Sequence, residues 1–179
     1  MNNPENTILT EKSDVNPPTS PKELLEQLDS LRIAYTLYEH PPIFTVAAGL
    51  EMERDMPGIH CRNLFLRDKK KAMFLISAAN ETAIDLKKLE TLLPCDRISF
   101  GSPERLWDNL GVRPGSVCPY AMINDTERLV TPVLDAYMMQ GEIVNFHPLI
   151  NTMTIGVSPQ GLLEFFRSLG REPRIVDFS

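Results

Sequence analysis

Asn63-Leu64-Phe65-Leu66-Arg67-Asp68-Lys69-Lys70-Lys71-Ala72-Met73-Phe74-Leu75-Ile76-Ser77 decides the fold class, because two short runs rich in Leu, Phe and Ile flank a charged turn. That pattern predicts an antiparallel hairpin. Further strands are expected at residues 117–123, 129–134, 143–146 and 153–157, with Asn124-Asp125 in the first connecting turn. Neighbouring strands that hairpins can join argue against a doubly wound βαβ repeat. The expected fold is α+β: one compact domain with a mixed, largely antiparallel central sheet flanked by helices.

Local signals place the helices. Ser20-Pro21-Lys22-Glu23 puts serine at the N-cap, proline at the first helical position and glutamate at the third, a capping box ahead of Leu24, Leu25, Leu28 and Leu31. Residues 33–38 read as a strand closed by His40-Pro41-Pro42, and 45–54 as a short helix that ends before Pro57-Gly58. Asp85 can cap a helix through Leu93, residues 97–100 form a short strand, and Ser102-Pro103 opens a helix that Gly111 stops. A last helix runs from Ser158-Pro159 to Gly170, before a terminal strand at 174–178. Leu24, Leu28, Phe65, Phe74, Leu106 and Phe165 are expected in the core, with Trp107 packing a helix. Residues 1–19 contain Pro4, Pro17 and Pro18 and no periodicity, so they are expected to form a flexible extension to a domain spanning 20–179.

At 179 residues and 42% hydrophobic content, the chain can bury one substantial core but not two ordinary ones. No apolar run approaches the roughly 20 residues that span a bilayer, and the N-terminal residues lack a basic, apolar leader pattern. A soluble, cytoplasmic protein without membrane contact is expected. Cys61, Cys95 and Cys118 form no C-x-x-C pair, so they read as reduced thiols, not a disulfide framework or a zinc knuckle. The net charge of −6 excludes a general basic coat for DNA or other nucleic acid. Any RNA contact must be local, and the best patch is Arg67-Asp68-Lys69-Lys70-Lys71, with Arg62 and Arg54 nearby in sequence. No glycine-rich phosphate loop and no G-x-S-x-G elbow occurs.

Asn145-Phe146-His147-Pro148-Leu149-Ile150-Asn151-Thr152-Met153-Thr154 has the look of a site, with one histidine and several amides and hydroxyls inside an apolar stretch. Pro148 biases His147 toward extended backbone, so the imidazole is presented from a strand end. His40 and His60 lack metal-ligand spacing with any cysteine or carboxylate and read as structural or loop residues.

Several blocks now coincide: His40-Pro41-Pro42-Ile43-Phe44-Thr45-Val46, Asn63 to Lys70, Ser102-Pro103-Glu104-Arg105-Leu106, Leu110-Gly111-Val112-Arg113-Pro114-Gly115-Ser116-Val117, Asn145 to Leu149, and Glu172-Pro173-Arg174-Ile175-Val176-Asp177-Phe178. In this order and spacing they resemble the YbaK/prolyl-tRNA synthetase-associated family. The likeness is to the free-standing Ala-tRNA(Pro) deacylases related to the editing domain of bacterial prolyl-tRNA synthetases. The resemblance covers essentially everything after Ser20. The Gly-Gly-x-Ser-Pro segment of the Cys-tRNA(Pro)-clearing cousins is replaced here by Gly115-Ser116-Val117-Cys118-Pro119, which favours the alanine branch.

The resemblance implies hydrolysis of the ester joining alanine to tRNA(Pro), with no metal and no cofactor. It implies the tRNA(Pro) acceptor end as partner, with prolyl-tRNA synthetase as a second one. His147, Asn63 and Arg62 match the family's site positions, and Arg97, with Lys69 and Lys70, falls to substrate binding. The family usually has lysine immediately before the asparagine, and this chain has Arg62, which keeps the charge but offers a planar fork in place of a compact ammonium. The implied chemistry is light: hold the ester, stabilise the oxyanion, and guide water or the adjacent ribose hydroxyl to the carbonyl. Two other readings stay open, a non-hydrolytic module that grips aminoacyl-tRNA or a synthetase, and a deacylase for a different small amino acid.

Overall fold

The computed structural model describes residues 15–179. Helix α1 (Pro21–Ser30) starts at the capping box, with the Ser20 hydroxyl accepting from the Glu23 N–H and the Glu23 carboxylate accepting from the Ser20 N–H. Strand β1 (Tyr35–Glu39), helix α2 (Val46–Glu53, capped by Thr45), strands β2 (Ile59–Asp68) and β3 (Met73–Ala79), and helix α3 (Leu86–Leu92, capped by Asp85) follow. Then come β4 (Ile98–Phe100), α4 (Pro103–Leu110), β5 (Val130–Asp135), β6 (Val144–Phe146), β7 (Met153–Val157), α5 (Pro159–Ser168) and β8 (Arg174–Val176). Gly111 ends α4 in the left-handed region at φ 61°, and a side chain there would also meet the ring of Pro18 at 2.4 Å.

These strands join one mixed sheet in the order β1-β7-β6-β2-β3-β5-β8, with β4 added along β2. The β2–β3 hairpin is antiparallel, as are β1–β7, β6–β7 and β2–β4, while β2–β6, β3–β5 and β5–β8 run parallel. Side chains alternate across β2 and β3. Phe65 and Leu75 face the larger core with α1, α4 and α5, while Leu66, Phe74 and Ile76 face a smaller one with Leu89 of α3 and Phe178. No helix of the described residues is long and apolar enough to cross a membrane.

Two expectations change. The stretch 117–123, expected as a strand, forms a 3-10 helix, Pro119–Asn124. Pro119 at its start has a locked φ that suits a helical turn and no N–H to give a ladder, and Tyr120, Ala121 and Met122 are all buried. A run buried on every side has no period to distinguish strand from helix. At the other end of the chain, residues 1–14 of the expected extension lie outside the described residues, but Pro18 and Thr19 belong to the domain. Pro18 lies against Gly111, and the Thr19 hydroxyl donates to Asn124 Oδ1 at 2.7 Å.

Candidate active site

Strand β2 has different partners along its length, and this creates the site. It pairs with β6 only through Ile59 and His60, and with β4 only from Leu66 onward. Between them, from Cys61 to Leu64, it has β3 on one side and no strand of the described residues on the other. The chain leaving β6 swings His147 over this gap, and α2 closes the remaining side, leaving a cavity of about 110 Å³. Ile43, Met52, Met56 and Phe146 give it an apolar wall, and Glu53, His60, Asn63, Asn145, His147 and Thr154 bring polar groups to it.

The loop that carries His147 is held under strain. Leu149 has φ 68°, the left-handed region that a bulky residue avoids, yet its side chain is buried in the larger core. Burial of Leu149 thus fixes a turn that the local backbone disfavours, and Pro148 rigidifies the step before it.

Hydrogen bonds set the roles of the polar groups. His147 Nδ1 lies 2.7 Å from the Met153 carbonyl, which can only accept, so Nδ1 carries the proton and Nε2 keeps its lone pair. Burial pulls the His147 pKa below its ordinary 6.5. The bond to Met153 opposes that shift, while nearby His40 adds to it. Neutral His147 is therefore an acceptor at its free nitrogen. Asn63 has the complementary role. The hydroxyl of buried Ser77, its cross-strand partner, donates to Asn63 Oδ1 at 2.6 Å, which leaves the Asn63 amide N–H groups as donors. Cys61 also lines the cavity, but burial pushes its thiol far above the usual range, so it is no ready nucleophile.

The basic candidates do not join His147 and Asn63 as the sequence reading expected. Arg62, next to Asn63 on the strand, is not among the residues that line the cavity. Its guanidinium donates to the Asn80 carbonyl at 2.9 Å and to the Thr82 carbonyl at 2.7 Å, clamping the turn after β3. Arg97 and Lys69 line a separate cleft of about 390 Å³ with Arg67, Arg105 and the exposed ring of Phe100. Five residues of strand separate Asn63 from Asp68 at the edge of that cleft, roughly 16 Å along β2. Lys70 is not in the cleft lining; it pairs with Asp96 at 3.7 Å, and both side chains are well exposed. Arg54, the outermost of the basic group read from sequence, caps the end of α2.

The two histidines read as structural lie at the site. His60 lines the cavity, donating from Nε2 to the Met56 carbonyl at 2.9 Å. The His40 ring lies 5.9 Å from that of His147. His40 Nδ1 must donate to the Pro41 carbonyl, so Nε2 accepts from the Thr154 hydroxyl at 2.9 Å. Both are His-Pro dipeptides at strand ends, and antiparallel pairing of β1 and of β6 with β7 between them brings the two ends together. Glu53, Met52 and Met56 carried no comparable sequence signal. Among the described residues, no group of three or more His, Cys, Asp or Glu side chains is arranged to hold a metal ion.

The family model for the aminoacyl-tRNA editing domain matches residues 40–165, well over half of the chain. The prolyl-tRNA synthetase associated domain-containing protein 1 of Danio rerio is 36% identical over 159 residues, covering 88% of this chain and 86% of that protein. The prolyl-tRNA editing protein ProX of Acetoanaerobium sticklandii is 30% identical over 155 residues, covering 86% of this chain and 94% of that protein. A crystal structure described as a proposed trans-editing enzyme for prolyl-tRNA synthetase superposes with a TM-score of 0.65. It covers 90% of this chain and 99% of its own at 15% identity, a likeness of fold.

Proposed function

The chain belongs to the aminoacyl-tRNA editing family, and we propose that it acts in trans on tRNA(Pro), hydrolysing the ester of mischarged Ala-tRNA(Pro). The observation that carries this reading is the pairing of Asn63 N–H donors with the lone pair of His147 Nε2 on one small cavity of mixed polar and apolar lining. An ester hydrolase needs a donor where negative charge develops and an acceptor for the attacking hydroxyl. In this scheme Asn63 faces the ester carbonyl oxygen. His147 accepts a hydrogen bond from a water molecule, directly or through the vicinal ribose hydroxyl, and orients that water toward the carbonyl carbon; the ester C–O bond then breaks as the proton passes to the leaving ribose oxygen. Collapse of the tetrahedral intermediate releases alanine and restores the ribose hydroxyl.

Cavity size supports alanine as the substrate side chain. A cavity of roughly 150 Å³ accepts a benzene ring, and this one is about 110 Å³ and shared with the ester itself. A methyl group fits against Ile43 and Met52 more readily than a prolyl ring does. The open cleft of Arg67, Lys69, Arg97 and Arg105 suits the phosphates of the acceptor arm. The names of the relatives support tRNA(Pro) and prolyl-tRNA synthetase as partners.

The test is ester loss from Ala-, Ser-, Cys- and Pro-tRNA(Pro), each measured against spontaneous hydrolysis. Rapid loss of the alanyl ester with the prolyl ester spared is expected. Equal loss of both overturns the specificity. Loss of the seryl ester alone assigns another small amino acid. Tight binding without any ester loss returns the chain to a non-hydrolytic binding role.

A further inference from the structure

We infer that Glu53 receives the α-ammonium group of the aminoacyl ester and so selects esters with a free amine. The inference rests on the deacylase reading of the cavity and adds a recognition element to it. Among the described residues, Glu53 is the sole Asp, Glu, Lys or Arg side chain lining that cavity. The nearest basic residue in sequence to Asn63, Arg62, is turned away onto the carbonyls of Asn80 and Thr82. The cavity of a protein proposed to bind a polyanion thus carries a net negative charge. That charge repels phosphate, and it complements one group on the substrate. An aminoacyl ester, unlike a simple acyl ester, bears a cation on the carbon next to its carbonyl.

The carboxylate is held in place for such a contact: Asn80 Nδ2 donates to Glu53 Oε1 at 3.2 Å and approaches Oε2 at 3.5 Å. An ionised carboxylate offers about four acceptor positions, so these contacts leave room for a ligand N–H. Its side chain keeps 29% of its exposure, which leaves it reachable. Glu53 is also the last residue of α2, with the exposed Arg54 following at the C-cap. Arg62 has an indirect part here: it fixes the Asn80 backbone, and the Asn80 side chain holds Glu53. An acylated amine has no charge to offer, so the same device would spare peptidyl-tRNA, whose ester must not be cut.

The experiment compares Ala-tRNA(Pro) with lactyl-tRNA(Pro), in which a hydroxyl replaces the ammonium at nearly the same size. Both are given to the wild-type full chain and to Glu53→Gln, with rates divided by spontaneous hydrolysis and thermal melting recorded for both proteins. Wild type is expected to prefer the alanyl ester by about fivefold in kcat/KM, the upper factor that one partly exposed ion pair supplies. Glu53→Gln should lose most of that preference by slowing on the alanyl ester while keeping its rate on the lactyl ester. If wild type cleaves both alike, or Glu53→Gln keeps the full preference, Glu53 does not read the amine, and the deacylase reading stands without it. A uniform loss on both esters assigns Glu53 a structural role and also overturns the inference. Should wild type cleave neither ester, the deacylase reading fails and this inference fails with it.

Discussion

The two ends of β2 open onto sites of opposite character. Near its start is a small cavity of mixed lining whose charged side chain is Glu53; beyond its end is an open cleft with Arg67, Lys69, Arg97 and Arg105. Under the proposed function the contrast divides the work. A phosphate chain is held by exposed cations through long-range, salt-sensitive attraction, whereas an ester is processed by neutral groups of fixed direction in a desolvated site. Placing the cations away from the cavity keeps them from competing for the ester oxygen.

The sharpest way to break this division is inside the cavity. His147→Ala should lower ester hydrolysis roughly a hundredfold, within the range for a positioned acid–base group, while the orphaned Met153 carbonyl costs about 1–3 kcal/mol of stability. Deacylation rates and thermal unfolding of this one variant decide it. Unchanged activity beside clear destabilisation would return His147 to the core. Asn63→Ala should lose a comparable factor as a missing oxyanion donor. Ser77→Ala, which only frees the Asn63 amide to turn, should lose less, and the reverse ranking would contradict the assigned donor.

A smaller effect is expected from the cleft. The double variant Lys69→Ala, Arg97→Ala should raise KM for charged tRNA by about tenfold and leave kcat nearly intact. Its salt dependence should flatten by about 0.9 in log–log slope for each phosphate that the variant no longer neutralises. A fall in kcat with the salt slope unchanged would join the two sites into one.

The pH response separates them again. The neutral His147 acceptor is lost when pH falls through its folded pKa, which burial holds below 6.5, so the acid limb of deacylation should have its midpoint below 6.5. The same depression means that the unfolded chain takes up this proton first, so His147 contributes stability above pH 6.5 that declines as pH falls toward the folded value. His40→Gln removes one of the interactions that lower the pKa and should move the limb upward. A midpoint above 6.5 in the wild type would contradict a buried, neutral acceptor. The smallest effect belongs to Arg62→Lys, which gives up the two-pronged grip on Asn80 and Thr82. About 1 kcal/mol, or roughly 2–4 °C in Tm, is expected in a chain of this size. A large loss of activity without that destabilisation would place Arg62 in direct contact with substrate.

Much of this arrangement is legible in the sequence. The Ser20 capping box, the charged hairpin turn and the proline-initiated helices are local signals, and local signals act through a few neighbouring residues. What failed was of two kinds. The run from Val117 to Ile123 is apolar without alternation, and burial on every side removed the contrast on which a period depends. Arg62 was grouped with Asn63 because they adjoin in sequence, whereas its guanidinium goes to the Asn80 and Thr82 carbonyls and not to the cavity lining. Glu53 was not picked out because its place on the cavity depends on how α2 packs beside β2, which hydrophobic patterns do not specify. The resemblance to the editing family supplied His147 and Asn63, which the structure brings to one cavity.

Strand β2 is a shared ruler. Its register against β3, β4 and β6 sets the direction of Asn63, the anchoring of Arg62 and the entry to the cationic cleft at once. A point substitution along it changes one reading and leaves the others in place. Deleting or inserting a single residue between His60 and Leu66 is different in kind, because a one-residue slip exchanges the two faces of every position beyond it. Asn63 would trade places with a neighbour, and Phe65 would leave one core for the other. A substitution along this strand, as at Arg62, therefore leaves both sites on their register, whereas a change in its length disturbs the two together.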